Sequence, residues 1–554
     1  MNLSERIRMA LGEVPAALVL KNARVFHLTD GSFETADIAI DDEGVIVGVG
    51  IGYEGRRTIN AQGLTAVPGF IDTHTHLESS LMLPWEYERC VTRYGVTTAI
   101  CDPHELANVV GTAAFDFFFA AAKALTMDLQ VRLSSCVPAT PLETSGAEIT
   151  VADLRAYKRK YAAAALGEYM NVPGVLTREP QTMAKLATFD FIDGHAPLLD
   201  GRNLNAYIAA GVRNCHESSL LEEAREKMRR GMQVFIREGS AARNLNALMP
   251  LLANAENAPF LAFCTDDRNP LDMEEGGHID RMVARCLAAG IPPLVAYRVA
   301  SWSPANGIGL HDRGLIAPGR RADIALLSDL TACRVERVIV HGIPAEEIHY
   351  DKARLPDVGL FRHTVKCRAV TADDFQMRRN PHLPVIGVID GSLVTDRLDD
   401  LPPDATDVLP IAVLERHGRN GNIGQGFVRG FGLKRGAIAS SVGHDSHNLC
   451  VVGTNGNDMA AAIEALRATQ GGFVATCDGK AVAHVPLTVG GLFSEEPAED
   501  IAKQLRTLRQ AVRQLGCPLH EPFLALAFLP LPVIPHLKIT DMGLVDLDNF
   551  QLLK

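Results

Sequence analysis

The spacing of apolar residues along this chain changes from one stretch to the next. In residues 17–64, short apolar runs alternate with turn signals, which predicts β-strands joined by hairpins. The same pattern returns in residues 324–341. Because these two stretches flank the middle of the chain, we expect them to pair in space as one discontinuous β-domain. Before them, Leu3, Ile7 and Leu11 recur at helical spacing and predict a short amphipathic helix.

Between these stretches, from about residue 68 to residue 314, apolar runs alternate with helical patterns. Residues 97–101 are strand-like and residues 112–125 are helical, and residues 131–136 and 151–161 repeat that order. A repeat of strand and then helix over about 250 residues predicts an α/β fold with a parallel (β/α)8 TIM barrel. A doubly wound open sheet is the alternative.

Beyond about residue 371 the pattern changes again. Strand-like, glycine-rich and helical stretches follow one another, at residues 385–394, 416–436, 459–469 and 499–515. They indicate a separate C-terminal α/β domain. The glycine-rich stretch lacks the Lys-Ser/Thr of a phosphate-binding loop, so turns and hairpins are the better interpretation. We therefore predict four segments: an N-terminal helix with the first part of a composite β-sandwich, the barrel, the second part of the sandwich and the C-terminal domain, at residues 1–67, 68–314, 315–370 and 371–554.

Composition limits the location and the partners of the protein. A chain of 554 residues is expected to form two or three domains. The net charge of −12 argues against a surface that coats nucleic acid, and no apolar run reaches the roughly 18 residues of a membrane span. The first 20 residues lack the continuous apolar core of a signal peptide. The 11 cysteines include no Cys-x-x-Cys pair, which indicates reduced thiols in a cytoplasmic protein.

Two histidines, His74 and His76, follow the short apolar run that leads into the predicted barrel. Residues two apart in an extended strand point to the same face, so both imidazoles can reach one metal ion. A His-x-His pair alone is more often a pair of exposed or packed histidines. The metal interpretation therefore depends on residues further along the chain.

Further potential ligands stand at the ends of later predicted strands: Glu168, His195, His216 and Asp266. A barrel of this size allots about 31 residues to each strand-helix unit. From His76 onward, the intervals of 92, 27, 21 and 50 residues match strands 1, 4, 5, 6 and 8, whose carboxyl ends meet at one face of a barrel. Four histidines and two carboxylates exceed the three protein ligands of one catalytic zinc ion. The count favours two metal ions that share a bridging carboxylate.

Several longer motifs resemble the amidohydrolase superfamily. The resemblance begins with Pro68-Gly69-Phe70-Ile71-Asp72-Thr73-His74-Thr75-His76, and residues 314–324 are similar to the superfamily's return into its β-sandwich. Within the superfamily, the chain resembles the adenine deaminase family over nearly its whole length. The motifs that carry this resemblance are Thr75-His76-Leu77-Glu78-Ser79-Ser80, Cys101-Asp102-Pro103-His104-Glu105, Cys215-His216-Glu217-Ser218 and Ser441-Val442-Gly443-His444-Asp445-Ser446-His447-Asn448.

The resemblance implies hydrolytic deamination of adenine to hypoxanthine and ammonia, in purine salvage. It also implies a binuclear centre with two divalent ions per chain, Mn²⁺ or Fe²⁺, and a bridging Glu168; imidazole and carboxylate ligands suit Zn²⁺ as well. The expected partner is a small molecule, adenine, with no nucleic acid and no membrane, and a homo-oligomer is expected by analogy. One alternative is another hydrolase of the superfamily that acts on a cyclic amide or an amino-heterocycle. The other is a metal-binding relative that has lost catalysis.

The reaction assigns roles to two carboxylates. Asp266, besides being a metal ligand, would take a proton from the attacking water and pass it to the departing amine. Glu217, next to His216, is the candidate for protonating or hydrogen-bonding the ring nitrogen N1. The alternative for Glu217 is a carboxylate that caps a helix or supports a metal ligand.

Other polar residues are predicted to contact substrate or to support the ligands: Asp102, His104, Glu105, Glu238, His278, His444 and His447. The first three have an alternative as a turn fixed by proline that caps a helix, and Glu238 as part of an ion-paired rim with Arg237. The stretch around His444 and His447 is rich in glycine and serine, so it could close the barrel mouth as a lid. A solvated or interface loop is the alternative there.

Overall fold

The computed structural model describes residues 2–240, 242–380, 382–402 and 405–553. The chain begins with helix α1 (Leu3–Ala10) and continues with strands β1 (Ala16–Phe26), β2 (Phe33–Ile40), β3 (Ile46–Gly50), β4 (Gly55–Asn60) and β5 (Thr65–Pro68). The predicted N-terminal helix is therefore confirmed. Its first turn is capped by the Asn2 side chain, which accepts a hydrogen bond from the Ser4 N–H at 3.0 Å. Leu3, Ile7 and Leu11 remain exposed.

Short strands alternate with helices through the middle of the chain, as the sequence predicts. The strands are β6 (Phe70–Thr75), β7 (Val96–Cys101), β8 (Asp128–Val131), β9 (Leu166–Tyr169), β10 (Ile192–Gly194), β11 (Asn214–Cys215), β12 (Gln233–Arg237) and β13 (Leu261–Cys264). The α-helices are α2 (Pro84–Thr92), α3 (His104–Val110), α4 (Ala113–Ala124), α5 (Val151–Lys160), α6 (Val172–Thr177), α7 (Pro180–Leu186), α8 (Gly201–Ala209), α9 (Leu221–Arg229), α10 (Leu245–Leu248), α11 (Pro270–Gly276), α12 (Ile279–Ala288), α13 (Pro293–Tyr297) and α14 (Ser303–Gly307). Every residue of β6 and β7 is buried, as expected of parallel strands that are covered on both faces.

These strands are joined edge to edge in chain order. β6, β7 and β8 pair in parallel, as do β9 with β10, and β11 with β12 and β13. Single parallel bridges connect the groups: Leu133 to Leu166, Ile192 to Val212, and Thr75 to Asp266. Because the pairing is parallel throughout, the carboxyl ends of these strands lie on the same side of the assembly.

The chain then returns to the first sheet through β14 (Ile324–Asp329), β15 (Arg334–Val340) and β16 (Ile343–Pro344). β14 pairs antiparallel with β5, which places Ile324 opposite Pro68 and Leu327 opposite Thr65. The strand order is β16-β15-β14-β5-β1-β2-β3, and β4 pairs with β1. The predicted pairing of the two flanking stretches is thus confirmed.

The C-terminal region forms its own sheets. Its strands are β17 (Val385–Gly387), β18 (Asp396–Leu398), β19 (Val408–Leu414), β20 (Ile423–Arg429), β21 (Ala437–Ser440), β22 (Leu449–Gly453), β23 (Gly472–Cys477), β24 (Lys480–Pro486), β25 (Leu537–Thr540), β26 (Gly543–Asp546) and β27 (Gln551–Leu552), and its α-helices are α15 (Gly456–Thr469), α16 (Ala498–Gln514) and α17 (Pro522–Ala527). The main sheet has the order β18-β17-β20-β19-β22-β21-β23-β24, and β25, β26 and β27 form a smaller one. The glycine-rich stretch forms the hairpin of β19 and β20, as predicted, whereas the strand predicted at residues 385–394 ends at Gly387.

The C-terminal region makes direct contacts with the region that contains the parallel strands. The Ser494 N–H donates to the Leu81 carbonyl at 2.8 Å, and the Asn448 side chain donates to the Thr144 carbonyl at 2.9 Å. α16 packs against α11, where Arg509 forms an ion pair with Asp272 at 3.0 Å. These contacts hold the region beside the carboxyl ends of the parallel strands.

All 11 cysteines are buried and free. Across the described ranges, helices long and apolar enough to traverse a lipid bilayer are absent.

Candidate metal centre and active site

His74, in β6, and His76, just beyond the end of that strand, direct their rings toward each other. The Nε2 atoms of His74 and His76 lie 3.1 Å apart, and both side chains are buried. The Nε2 atom of His76 is 3.1 Å from Asp266 Oδ1 and 3.3 Å from Glu168 Oε1. That of His74 is 3.5 Å from the same oxygen of Asp266. The carboxyl ends of β6, β9 and β13 thus bring two imidazoles and two carboxylates together.

The second oxygen of Glu168 faces a different pair of histidines. Glu168 Oε2 lies 2.7 Å from His195 Nδ1 and 3.3 Å from His216 Nε2. The His216 ring also stacks on the His74 ring, with their centroids 3.9 Å apart. One carboxylate therefore stands between two histidine pairs, which is the placement of a carboxylate that bridges two ions.

The protonation of His76 suits metal binding. Its Nδ1 atom lies 2.9 Å from the Asp102 carbonyl oxygen, which can only accept a hydrogen bond, so Nδ1 carries the proton. Nε2 is then directed toward Glu168 and Asp266, and an imidazole held in this way is a typical metal ligand. Four imidazoles and two carboxylates, all buried or nearly so, form overlapping groups of three that could hold metal ions.

The buried charges in this cluster balance one another. Burial raises the pKa of Glu168, but hydrogen bonds from His195, His216 and His76 outweigh it and hold that pKa well below its ordinary value. Burial alone would lower the pKa of His195, yet Glu217 and Glu168 raise it to about 9. The carboxylates are thus ionised, as metal ligands must be.

Arg237 is the functional residue that the sequence reasoning left out of its set of site residues. Its Nη1 atom contacts both Glu217 and Asp266, and its Nη2 atom donates to Glu217 Oε2 at 2.9 Å. Burial raises the pKa of Asp266, but the charge of Arg237 outweighs it and lowers that pKa well below the ordinary value. The pKa of Glu217 is also lowered, because Arg237 outweighs burial there too. Arg237 therefore orients and charges the two carboxylates that were assigned roles in catalysis.

The neighbour of Arg237 points away from the cavity. Glu238 contacts Arg285 and accepts a hydrogen bond from the Leu245 N–H at 3.3 Å. Successive residues of a strand face opposite sides, so only one of this pair can face the cluster. A signal was present in the sequence, because Arg237 is the residue at the end of the seventh predicted strand.

Asp102 supports the cluster from behind. Its carboxylate accepts hydrogen bonds from the Ser134 hydroxyl at 2.6 Å and from the Glu168 N–H at 2.9 Å. Gly167 makes this approach possible, because a Cβ atom at that position would collide with the Asp102 carboxylate. Asp102 thereby fixes the backbone that carries Glu168, and its own carbonyl fixes the His76 ring.

His104 and Glu105 begin α3 and link the cluster to the C-terminal region. His104 Nδ1 is 3.3 Å from Glu168 Oε1, and its Nε2 is 3.6 Å from Asp445 Oδ1. Glu105 accepts a hydrogen bond from the Ser79 hydroxyl at 2.9 Å. Its other oxygen lies 3.7 Å from His447 Nε2. His447 therefore faces Glu105.

The last predicted candidate, His278, is buried behind the strands. Its Nε2 atom lies 3.6 Å from the Asp72 carboxylate, which accepts hydrogen bonds from the Thr265 N–H and hydroxyl. It does not line the cavity at the cluster.

The C-terminal region supplies one wall of the cavity at the cluster. The cavity has a volume of about 30 Å³ and is lined on that side by Leu393, His444, Asp445, Phe528, Leu531 and Ile534. The His444 ring stacks on Phe528, with centroids 4.4 Å apart. The opposite side carries Glu217, Arg237 and five of the potential metal ligands: His76, Glu168, His195, His216 and Asp266. The site is thus assembled from both halves of the chain.

Comparison with known families agrees with this arrangement. Residues 65–344 match the amidohydrolase family, and residues 392–551 match the adenine deaminase C-terminal domain. The chain is a member of the amidohydrolase family.

Full-length relatives give the narrower assignment. An adenine deaminase of Methylobacterium nodulans is 53% identical, with 100% of this chain and 99% of the relative covered. One of Gluconobacter oxydans is 52% identical, with 98% of each covered. The chain belongs to the adenine deaminase family. Among solved structures, a triazine hydrolase from Arthobacter aurescens is 17% identical with a TM-score of 0.46, and covers 61% of this chain and 99% of its own.

Proposed function

We propose that this protein catalyses the hydrolytic deamination of adenine to hypoxanthine and ammonia, in purine salvage. The observation that carries the proposal is Glu168, whose two oxygens face two separate histidine pairs at a cavity. Relatives about half identical over the whole length are named adenine deaminases. We also propose, by family analogy alone, that the protein is a homo-oligomer, and from its cysteine usage that it works in the cytoplasm.

We infer that the eight described parallel strands close a (β/α)8 barrel. Support comes from the bridge between Thr75 and Asp266, which joins the last strand to the first and which an open doubly wound sheet would lack. The mixed sheet of β1–β5 and β14–β16 is proposed to form the composite sandwich beside it. Proposed limits for the four segments remain residues 1–67, 68–314, 315–370 and 371–554.

The two metal sites are proposed as follows. His74, His76 and Asp266 would hold one divalent ion, His195 and His216 the other, and Glu168 would bridge them. Mn²⁺ or Fe²⁺ is proposed, with Zn²⁺ compatible with the same ligands. Ions bound there would supply Lewis acidity and lower the pKa of a coordinated water.

The residues around the metal sites would move the protons. Asp266 takes a proton from the attacking water and delivers it to the amine that leaves C6, so that water and adenine yield hypoxanthine and ammonia. Arg237 holds Asp266 and Glu217 ionised and in place before the reaction. Glu217, 3.8 Å from His195 and 3.6 Å from His216, would interact with the N1 side of the purine. An ionised carboxylate cannot donate a hydrogen bond. Glu217 must therefore take up a proton before it can donate a hydrogen bond to N1 of the purine.

A spectrophotometric screen of purines and pyrimidines, with cyclic amides included, tests the function. The full chain loaded with Mn²⁺ is expected to convert adenine to hypoxanthine and to release one ammonia for each adenine. Turnover of a cyclic amide without turnover of adenine would favour the other hydrolases of the superfamily. A protein that binds two ions and turns over nothing in the screen would be a binding protein instead.

The C-terminal wall is proposed to act as a lid. A cavity of about 30 Å³ is far below the roughly 300 to 1,000 Å³ of most ligand pockets. A second cleft of about 310 Å³ adjoins it through Leu393 and Phe528, which line both. Displacement of these two side chains would join the spaces and admit a purine.

The lid predicts a specific result for the double variant His444→Ala with His447→Ala. Turnover is expected to fall by tenfold or more, since the wall that excludes water loses the His444 ring and the buried His447 ring that faces Glu105, while the ions held by the proposed ligands remain. Metal analysis beside steady-state kinetics checks this. Replacement of His484, a histidine of β24 that does not line the cavity, is the control. Wild-type kinetics in the double variant would leave the stretch as a plain interface loop.

A further inference from the structure

Asp445 is a buried carboxylate with one unused oxygen at the cavity. The residue is 3% exposed, and it lines the cavity opposite the barrel ligands. Its Oδ1 atom lies 3.6 Å from His104 Nε2 and 3.6 Å from His444 Nδ1. Its Oδ2 atom is buried and has no hydrogen-bond partner among the described residues. An acceptor left unpaired in this way costs stability, so its partner is expected to arrive with a ligand.

The position of Asp445 corresponds to one end of a bound purine. Glu217 flanks the cluster on the side of His195 and His216. His104, which contacts Asp445, flanks it on the side of His76, with the two rings 4.5 Å apart. In adenine, C6 stands between N1 and the carbon that carries the imidazole ring. With C6 at the cluster and N1 toward Glu217, the imidazole ring is directed toward Asp445.

The charge of Asp445 decides what it can bind. Burial raises its pKa, but His104 and His444 outweigh burial and lower the pKa below its ordinary value, so both oxygens can only accept hydrogen bonds. In adenine, N1, N3 and the unprotonated imidazole nitrogen are acceptors as well. The donors are the exocyclic amine, which leaves during the reaction, and the N–H of the imidazole ring.

We propose that Asp445 selects the free base by accepting a hydrogen bond from N7–H, the imidazole N–H of adenine in its 7H tautomer. This assignment rests on the proposed function and adds the group that recognises the ring opposite the reacting carbon. A purine that carries a substituent on N9 has no imidazole N–H, and its N7 lone pair would face the carboxylate. Nucleosides and 9-alkylated purines are therefore rejected by an unpaired buried acceptor as well as by size.

The probe for this proposal is 9-methyladenine, which keeps the amine, N1 and N3 but lacks the N–H. A site built to hydrogen-bond a substrate N–H rejects an analogue without it by roughly 10⁴- to 10⁵-fold in kcat/KM. The wild-type protein is expected to discriminate in this range. Asp445→Asn keeps the shape of the side chain and supplies an N–H₂ that can donate to N7.

The expected result is a change in the ratio of the two substrates. In Asp445→Asn, kcat/KM for adenine falls by roughly 10- to 100-fold, as expected for the loss of a hydrogen bond to a charged group, while kcat/KM for 9-methyladenine rises. The discrimination ratio thus falls by more than 10-fold. A variant that had only distorted the loop would lower both values together. Ser446→Ala, next in the chain and absent from the cavity wall, is expected to keep the wild-type ratio.

Two outcomes overturn the proposal. An unchanged ratio in Asp445→Asn, with adenine still turned over by the wild type, would mean that 9-methyladenine is excluded by size alone. Efficient turnover of 9-methyladenine by the wild-type protein would mean that the site does not recognise the imidazole N–H. Failure of the proposed function would look different, since the wild-type protein would then not deaminate adenine at all.

Discussion

Asp266→Asn is expected to reduce turnover by roughly 10²- to 10⁴-fold even when both metal sites are filled, the range for a lost general acid-base group. That loss equals about 3 to 5 kcal/mol of barrier at 1.36 kcal/mol per decade. The physical reason is that asparagine keeps an oxygen on the metal but cannot take up and release the proton. It also loses the ionic contact with Arg237. The measurement is turnover per bound metal ion, variant against wild type.

The same residue gives a pH dependence. Arg237 outweighs burial and holds the pKa of Asp266 well below its ordinary value, so the carboxylate is ionised at neutral pH and is lost as a base only in acid. Wild-type turnover is therefore expected to decline as pH falls. Because water, metal and carboxylate titrate together, the apparent pKa belongs to the group. A metal-replete Asp266→Asn protein within about tenfold of wild type, well short of the general acid-base range, would reduce Asp266 to a ligand.

Glu168→Gln is expected to weaken the binding of metal ions at the cluster. Protein grown with Mn²⁺ should carry about two ions per chain, because six ligands converge in two groups around this carboxylate. Loss of a partner that only supports a ligand typically costs 10- to 100-fold in metal affinity, and loss of the shared ligand should cost at least as much. A neutral amide also removes one of the negative charges that face the four histidines, although Asp266 and Glu217 remain. Activity is expected to fall with occupancy.

Metal content after dialysis against a weak chelator, measured beside activity, checks this prediction. Glu222→Gln is the control, since that residue lies on α9 and pairs only with Arg225 among the ion pairs of the described residues. The control should keep two ions and wild-type turnover. Full occupancy with unchanged activity in Glu168→Gln would take Glu168 out of the centre.

Much of the ligand geometry was accessible from sequence because a strand enforces it. His74 and His76 share a face through the period of two, and the intervals to Glu168 and Asp266 follow the length of a strand-helix unit. The structure brings all six predicted ligands within contact distance. The pairing of β5 with β14 was likewise predictable, since two short stretches of strands flanked one repeating region.

What escaped prediction depends on long-range packing. The sequence predicts that a strand ends at Arg237 and Glu238. Which of the two side chains faces the cluster depends on the register of the strand, because a shift of one residue exchanges their positions. Asp102 was grouped with His104 and Glu105, although its side chain turns to Ser134 and the Glu168 backbone. Such partners lie far apart in the chain, and no local pattern connects them.

The wall supplied by the C-terminal region ties the durability of the complete site to that of the metal ligands. The two regions share one hydrophobic core, in which Phe118 lies beside Phe493, and the bond from the Thr144 N–H to Asp541 that joins them is buried. Elements held together by many buried contacts open at a free energy close to that of the whole fold. Mild denaturant or heat is therefore expected to abolish activity and release bound metal in one shared transition.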